Sequence, residues 1–184
     1  MWQQFVQTHK GFRLLSVAMD AQGPDRPRPY VQKAKTTFPT VVDADNQLGK
    51  AFNFKAIPNG IFVDEQGVVR YVKLGGFEVR KPDDAGRLEE WLNGEMKDEL
   101  RVLSDAEAPK GMTHPEALAY YDQGLAFYRQ GKVNGAVALW RKVIDVEPDN
   151  FIVRKQVWAV EHPEKFYDGA VDYAWQAEQI KRGQ

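Results

Sequence analysis

The chain has 184 residues, 43% of them hydrophobic and 28% charged, which is enough for one or two small domains with a hydrophobic core. Its 25 Lys and Arg against 26 Asp and Glu give a formal net charge of −1, so the charge balance does not favour binding to nucleic acid or to an anionic membrane. Cysteine is absent, which excludes disulfides and thiol nucleophiles within these residues, and no apolar run approaches the roughly 18 residues of a membrane span.

The first half of the sequence predicts alternating helices and strands. Trp2, Phe5 and Val6 have helical spacing, and the near-continuous apolar run at 12–19 is typical of a parallel strand covered on both faces. The further predicted elements are a helix starting at Pro29, an extended piece at 40–42, a helix at 46–52 and a helix from Asp83 through Leu92.

The most informative stretch begins with Ile57-Pro58. Two β-rich runs follow, at 60–63 and 68–74, and a short turn ending in Gly67 separates them, so we expect an antiparallel hairpin. A proline before a strand cannot donate to the ladder and belongs at the start or edge of a sheet. X-Pro bonds adopt the cis form at low cost, and we expect a cis bond before Pro58.

Residues 56–77, AIPNGIFVDEQGVVRYVKLGGF, resemble the thioredoxin-like fold, and most closely the TlpA/ResA-like thiol-disulfide oxidoreductases of the redoxin family. The resemblance extends over about 2–91. In that family a cis-proline loop faces a redox-active Cys-x-x-Cys. The resemblance implies that the residue before this proline, Ile57, offers backbone hydrogen bonds to a substrate polypeptide. It also implies an extracytoplasmic location, although the amino terminus shows no basic region followed by an apolar one.

The expected fold of the first domain is therefore α/β thioredoxin-like but incomplete, because the first strand of that fold and its Cys-x-x-Cys would precede Met1. In the resembled topology that strand lies between those at 12–19 and 60–63. Three alternatives would satisfy the two unpaired edges. The two strands pair directly, a second copy donates a strand or exchanges a segment to form a homodimer, or the native chain starts before Met1.

The composition changes after Asn93, and the polar stretch 104–112 is predicted to be a linker between a domain at 1–103 and an all-α domain at 113–184. Residues 117–150 span the 34 residues of one tetratricopeptide-type unit. They resemble that repeat at Tyr120, Gly124, Phe127, Ala136, Trp140 and Pro148. A single unit needs neighbours to bury its faces, so the tail is expected to supply capping helices.

Few residues are candidates for a site. On the first repeat helix Tyr121, Tyr128 and Arg129 occupy the side that faces the concave groove in the resembled repeats, or else they form an ordinary solvated face. Pro58 either contributes to a polypeptide-binding loop with Ile57 or only shapes the hairpin. The three histidines lie far apart in sequence, so neither a metal site nor a cofactor is predicted.

Two functions from different classes remain at this point. The first is a thiol-free binding or scaffolding module that combines the thioredoxin-like half with the tetratricopeptide-type helices and holds a protein or peptide partner. The alternative is a thiol-disulfide oxidoreductase of the TlpA/ResA type whose Cys-x-x-Cys segment lies upstream. Because thiol chemistry needs a thiolate, the sequence favours the binding module, without catalytic residues.

Overall fold

The computed structural model describes residues 1–96, 112 and 114–183. The chain divides into two compact units, Met1–Thr113 and His114–Gln184. The second unit therefore starts one residue after the predicted start of the helical domain. Apart from Met112, the predicted linker at 104–112 lies outside the described residues.

Helices and short strands alternate along the first unit. Its elements are α1 (Trp2–Thr8), β1 (Ser16–Ala18), α2 (Arg28–Ala34), β2 (Thr40–Val42), α3 (Gln47–Phe52), β3 (Gly60–Val63), β4 (Val69–Lys73) and α4 (Pro82–Leu92). Local signals account for several boundaries. Pro29 lies in the first turn of α2, and the Asp43 carboxylate accepts hydrogen bonds from the backbone N–H groups of Gln47 and Leu48 at the start of α3.

The strands form two separate two-stranded sheets. β1 and β2 are parallel, with Val17 opposite Val41, whereas β3 and β4 form the predicted antiparallel hairpin, with Phe62 opposite Tyr71. Among the described residues no strand pairing joins the two sheets. The direct pairing considered above, between the strands predicted at 12–19 and 60–63, is therefore not observed there.

The strand predicted at 12–19 is shorter and less buried than expected. Only Ser16–Ala18 is extended in a ladder, and all three residues are half-buried. The physical reason is the partner strand, because β2 offers only three residues for pairing and the two-stranded sheet gives β1 a single neighbour. The expectation of a strand covered on both faces was therefore wrong.

An aromatic cluster forms the core of the first unit. Phe62 of β3 lies 4.8 Å from the ring of Tyr71 and 5.2 Å from that of Trp91, measured between centroids. Further contacts come from α1, which packs Phe5 and Trp2 onto the hairpin side. The helical spacing of these two residues therefore reflects a face that covers the sheet.

The second unit is an array of helices. Its elements are α5 (Pro115–Arg129), α6 (Val133–Val146), α7 (Phe151–Glu161), a 3₁₀ turn (Pro163–Lys165) and α8 (Tyr173–Lys181). Gly131, with φ of 74°, makes the turn between α5 and α6. The Asn150 side chain accepts a hydrogen bond from the backbone N–H of Val153 and caps α7.

Small residues let α5 and α6 approach each other closely. A Cβ at Gly124 would lie 2.4 Å from Nε1 of Trp140, and both Ala136 and Trp140 are fully buried. α7 packs on α6 and is buried over most of its surface. Trp175 of α8 then covers Trp158 of α7, with ring centroids 5.6 Å apart.

Candidate polypeptide-binding site

The loop between α3 and β3 carries the Ile57-Pro58 pair, and its peptide bond is cis, as expected. Buried residues hold the loop at both ends. Phe54 and Lys55 are buried before the proline, and Gly60 after it lies directly under Phe77. A Cβ at position 60 would approach the Phe77 ring to 2.6 Å, so only glycine fits there.

Asn59 clamps this loop by hydrogen bonds in both directions. Its Nδ2 donates to the carbonyl of Ala56 at 2.9 Å, and its Oδ1 accepts from the backbone N–H of Gly75 at 2.7 Å. The carbonyl of Pro58 accepts from the N–H of Phe77 at 3.2 Å. These bonds fix the loop against the segment that follows β4.

Ile57 is left on the outside of this clamped loop. Ile57 is 46% exposed, although its side chain is aliphatic. Within residues 1–96, 112 and 114–183, neither its backbone N–H nor its carbonyl forms a hydrogen bond. The arrangement presents an apolar side chain with an unpaired donor and acceptor beside it, which is what an added extended strand uses.

The three α5 candidates occupy different environments. Tyr121 is only 2% exposed, its ring stacks 6.4 Å from Trp140, and its carbonyl accepts from the indole Nε1 at 3.3 Å. Tyr128 is half-buried on another part of the same indole, 5.7 Å away. Arg129 is exposed in the last turn of α5. Tyr121 therefore belongs to the helix interface, and the exposed face is left to Tyr128 and Arg129.

Two clefts in the first unit lie away from Ile57 and Pro58. A cleft of about 660 Å³ lies between β4 and α4, where Lys73 forms an ion pair with the buried carboxylate of Asp84. The other, of about 380 Å³, is lined by His9 and by Glu89, whose Oε1 lies 3.4 Å from the imidazole Nε2.

The Asp84 carboxyl lies in the cleft between β4 and α4, and the residue is only 1% exposed. Burial by itself raises the pKa of Asp84, but hydrogen bonds from Lys73 and from the backbone N–H of Glu78 lower it more, so the pKa lies below its usual value. Both donors are contributed by the protein itself. The carboxylate therefore stabilises the junction of β4 and α4 and has no features of a catalytic acid.

The described part of the chain shows no arrangement suited to a bound metal, since no three His, Cys, Asp or Glu side chains lie close enough together there. Its helices are likewise too short or too polar for any of them to cross a membrane. At Ile57 the described residues leave an exposed apolar side chain next to an unpaired backbone donor and acceptor.

The sequence pattern predicted Ile57 and Pro58 as candidate site residues but did not indicate the contact between Asn59 and Gly75. No local pattern could have shown this pair, because their hydrogen bond joins residues sixteen positions apart. For Tyr121 a signal existed. Together with Ala117, Gly124 and Tyr128 it follows the spacing of a single helix face, and the small residues of that face mark it as the one that packs on α6.

No protein-family model matches the chain, and no curated protein or solved structure matches it. The thioredoxin-like and tetratricopeptide-type assignments therefore rest on the motifs of the sequence and remain proposals.

Proposed function

We propose that the chain is a polypeptide-binding or scaffolding module, in which an incomplete thioredoxin-like half is joined to a tetratricopeptide-type helical half. The observation that carries the proposal is Ile57. It is exposed and apolar, its backbone donor and acceptor are unpaired among the described residues, and it lies in a loop held by Asn59.

The binding mode that fits this loop is addition of an extended segment. A partner strand that bonds to the N–H and carbonyl of Ile57 gains two backbone hydrogen bonds, and its side chains contact the exposed isoleucine. Because the loop is already clamped, binding requires little further ordering of this chain. Backbone hydrogen bonds do not depend on the partner's side chains, so they accept many partner sequences. The partner class is therefore an extended polypeptide.

The helical half supports the same class of function. In α5 the half-buried Tyr128 ring and the exposed Arg129 lie within one turn. A half-buried ring followed by an exposed guanidinium gives this end of α5 an apolar and a charged group that a peptide can contact. We assign this surface a secondary role, since Tyr121 is unavailable to a partner.

The test is selection of binding peptides from a displayed library of random twelve-residue sequences against the whole chain, followed by calorimetry with the enriched peptides. We expect Ile57→Glu to raise the Kd at least about tenfold, because it places a charge beside the two backbone groups. The matched control is Val63→Glu, which alters a similarly exposed aliphatic residue (44%) in the same unit. Failure to enrich any peptide, or equal Kd values for the two variants, would refute the proposal.

Thiol-disulfide exchange is not supported by any of the described geometry. The 184 residues contain no cysteine, so a thiolate would have to come from outside them. The binding proposal needs no such group, and it is tested without a redox assay.

A further inference from the structure

Three Asn-Gly pairs occur in the sequence, at 59–60, 93–94 and 134–135. An asparagine followed by glycine is prone to spontaneous deamidation, because glycine has no side chain to shield its backbone nitrogen from the asparagine carboxamide. By local sequence all three pairs are therefore reactive. The structure places them in three different environments, and these environments separate their reactivity.

The reaction is an attack of the backbone on the side chain. The glycine nitrogen bonds to Cγ of the asparagine and gives up its proton, and the Cγ–Nδ2 bond breaks with release of ammonia. The product is a cyclic succinimide, which water opens at either carbonyl to give aspartate or isoaspartate. The net change converts an amide and water into a carboxylic acid and ammonia. A pair reacts only if its side chain and its peptide plane can both rotate into this geometry.

Asn59 is held out of this geometry by its own side chain. Its Nδ2 bonds to Ala56 and its Oδ1 to Gly75, and the residue is half-buried. Gly60 begins β3, so its peptide is also held in the ladder with β4. Reaction at Asn59 requires these bonds to open first, and the opening equilibrium lowers its rate.

Asn134 is held by its backbone. It lies in the first turn of α6, and its side chain is exposed. The N–H of Ala136 bonds to the carbonyl of Lys132 at 3.0 Å and closes the turn that contains the Asn134-Gly135 peptide. This peptide plane therefore rotates only when the start of the helix unwinds.

Asn93 has neither kind of protection. It follows the last residue of α4, and its side chain forms no hydrogen bond within residues 1–96, 112 and 114–183. The N–H groups of Gly94 and Glu95 bond to the carbonyls of Trp91 and Glu90, but Asn93, Gly94 and Glu95 are all exposed. Such bonds at a helix end open at low cost. A Cβ at Gly94 would meet nothing within 4 Å, so the peptide has room to turn.

We infer that Asn93 is the site of deamidation in the folded chain, and that the fold protects Asn59 and Asn134. The modification acts on α4. It places a negative charge at the carboxyl-terminal end of the helix, where the dipole disfavours it. Isoaspartate also adds a methylene to the backbone directly after Trp91 and Leu92, which pack on the aromatic core. Deamidation therefore loosens the end of α4 from the first unit.

The test is peptide mapping by mass spectrometry after incubation of the whole chain in mildly alkaline buffer, with heavy-oxygen water to mark each ring opening. We expect Asn93 to deamidate at least about tenfold faster than Asn59 or Asn134. The same chain unfolded in urea is the matched control. Its three pairs should react at similar rates, because only their local sequences then act.

The effect on α4 is measured by hydrogen exchange. Asn93→Asp reproduces the charged product, whereas Asn93→Gln keeps an amide on a longer side chain. We expect the α4 peptides of Asn93→Asp to exchange about two- to fivefold faster than those of Asn93→Gln. The control is Asn134→Asp in the first turn of α6, where the dipole favours a carboxylate, so exchange of α6 should not accelerate.

Equal rates at the three pairs of the folded chain would overturn the inference, and so would a faster reaction at Asn59 or Asn134. Slow reaction at Asn93 both in the fold and in urea would also overturn it, since the local sequence would then be unreactive. If Asn93 reacts fastest and Asn93→Asp leaves α4 exchange unchanged, the site is confirmed and the loosening of α4 is wrong. None of these outcomes depends on whether a peptide binds at Ile57.

Discussion

The indole of Trp140 occupies the space that a side chain at Gly124 would need. A Cβ there would come within 2.4 Å of Nε1 and 2.6 Å of Cδ1. Trp140 cannot move away, because it is fully buried and its Nε1 donates to the carbonyl of Tyr121. The close approach of α5 and α6 therefore depends on the absence of a side chain at one position.

We expect Gly124→Ala to destabilise the chain in spite of the better helix propensity of alanine. Overpacking a rigid contact costs about 1–3 kcal/mol, and the propensity gain is about 1 kcal/mol at most. The net loss should reach up to about 2 kcal/mol in the free energy of unfolding, measured by urea denaturation followed by circular dichroism. The control is Gly135→Ala, where the obstructing Phe127 ring is partly exposed and can rotate. Equal losses in the two variants would contradict the proposed role of Trp140.

Glu147 provides a second prediction, because its carboxyl group is 1% exposed and neutral donors are among its hydrogen-bond partners. Its Oε1 accepts from the backbone N–H of His114 at 3.2 Å and its Oε2 from Nδ2 of Asn150 at 3.1 Å. It thereby joins the start of α5 to the turn between α6 and α7. Glu147→Ala leaves both donors without this acceptor, and we expect a loss of about 2–3 kcal/mol in the free energy of unfolding.

The comparison for Glu147 is Glu161→Ala, which removes the pairing of an exposed carboxylate with Arg141 at 2.7 Å. Exposed ion pairs contribute about 0–1 kcal/mol, so this variant should unfold nearly as the parent does. Urea denaturation of both variants at the same pH measures the difference. A loss for Glu147→Ala no larger than that for Glu161→Ala would show that the buried carboxylate does not stabilise the array.

Local sequence patterns predicted those helices and strands whose turn or cap residues lie within the element or next to it. The hairpin of β3 and β4 has its turn within the pattern itself, and the Asn150 cap lies next to the helix it starts. The contacts that define the sites are different. Asn59 bonds to Gly75 and Glu147 to His114, 33 residues away, and no local propensity encodes either pairing.

α8 shows how a correct helix prediction can leave the face undetermined. Tyr173 and Ile180 are apolar and Gln176 and Gln179 polar, so the pattern alone favours burial of the first pair. The structure reverses this, because Trp175 is large enough to decide which side packs on Trp158. Tertiary packing of one large ring outweighs the summed polarity of the helix face.

The Asp84 carboxylate makes the stability of the first unit depend on pH. Its folded-state pKa lies below the roughly 3.9 of an unfolded aspartate, so its stabilising contribution is complete above that value and is lost as the pH falls through the folded-state pKa. We expect Asp84→Asn to lower the free energy of unfolding by about 1–2 kcal/mol at pH 7, and by progressively less at acidic pH. Urea denaturation of both proteins between pH 7 and about pH 2.5 measures the difference.

The neighbouring residue provides the control for this titration. Asp83→Asn changes an exposed carboxylate in the same helical turn, and we expect it to leave the pH dependence almost unchanged. If Asp84→Asn lowers stability equally at pH 7 and at the acidic limit, the effect comes from packing, and the ionised pair with Lys73 is not its source.

The clamp made by Asn59 is expected to control both the loop and the proposed binding at Ile57. Asn59→Asp keeps the acceptor for the N–H of Gly75 but replaces the Nδ2 donor by an oxygen, which then faces the carbonyl of Ala56. Asn59→Ala removes both bonds. We therefore expect hydrogen exchange of the Gly75 amide to accelerate at least about tenfold in Asn59→Ala and to change little in Asn59→Asp. NMR-detected exchange at a single pH measures both.

Binding, unlike exchange of the Gly75 amide, should not separate the two variants. The geometry of Ile57 depends on the bond to Ala56, which both variants lose, so each should weaken the peptides selected against the parent chain by about three- to tenfold. Loss of binding without faster Gly75 exchange in Asn59→Asp would locate the effect at the Ala56 bond, on the side of the loop that carries Ile57. Unchanged binding in both variants would mean that the loop keeps its shape without Asn59, and that the buried Phe54 and the Phe77 ring over Gly60 are sufficient to hold it.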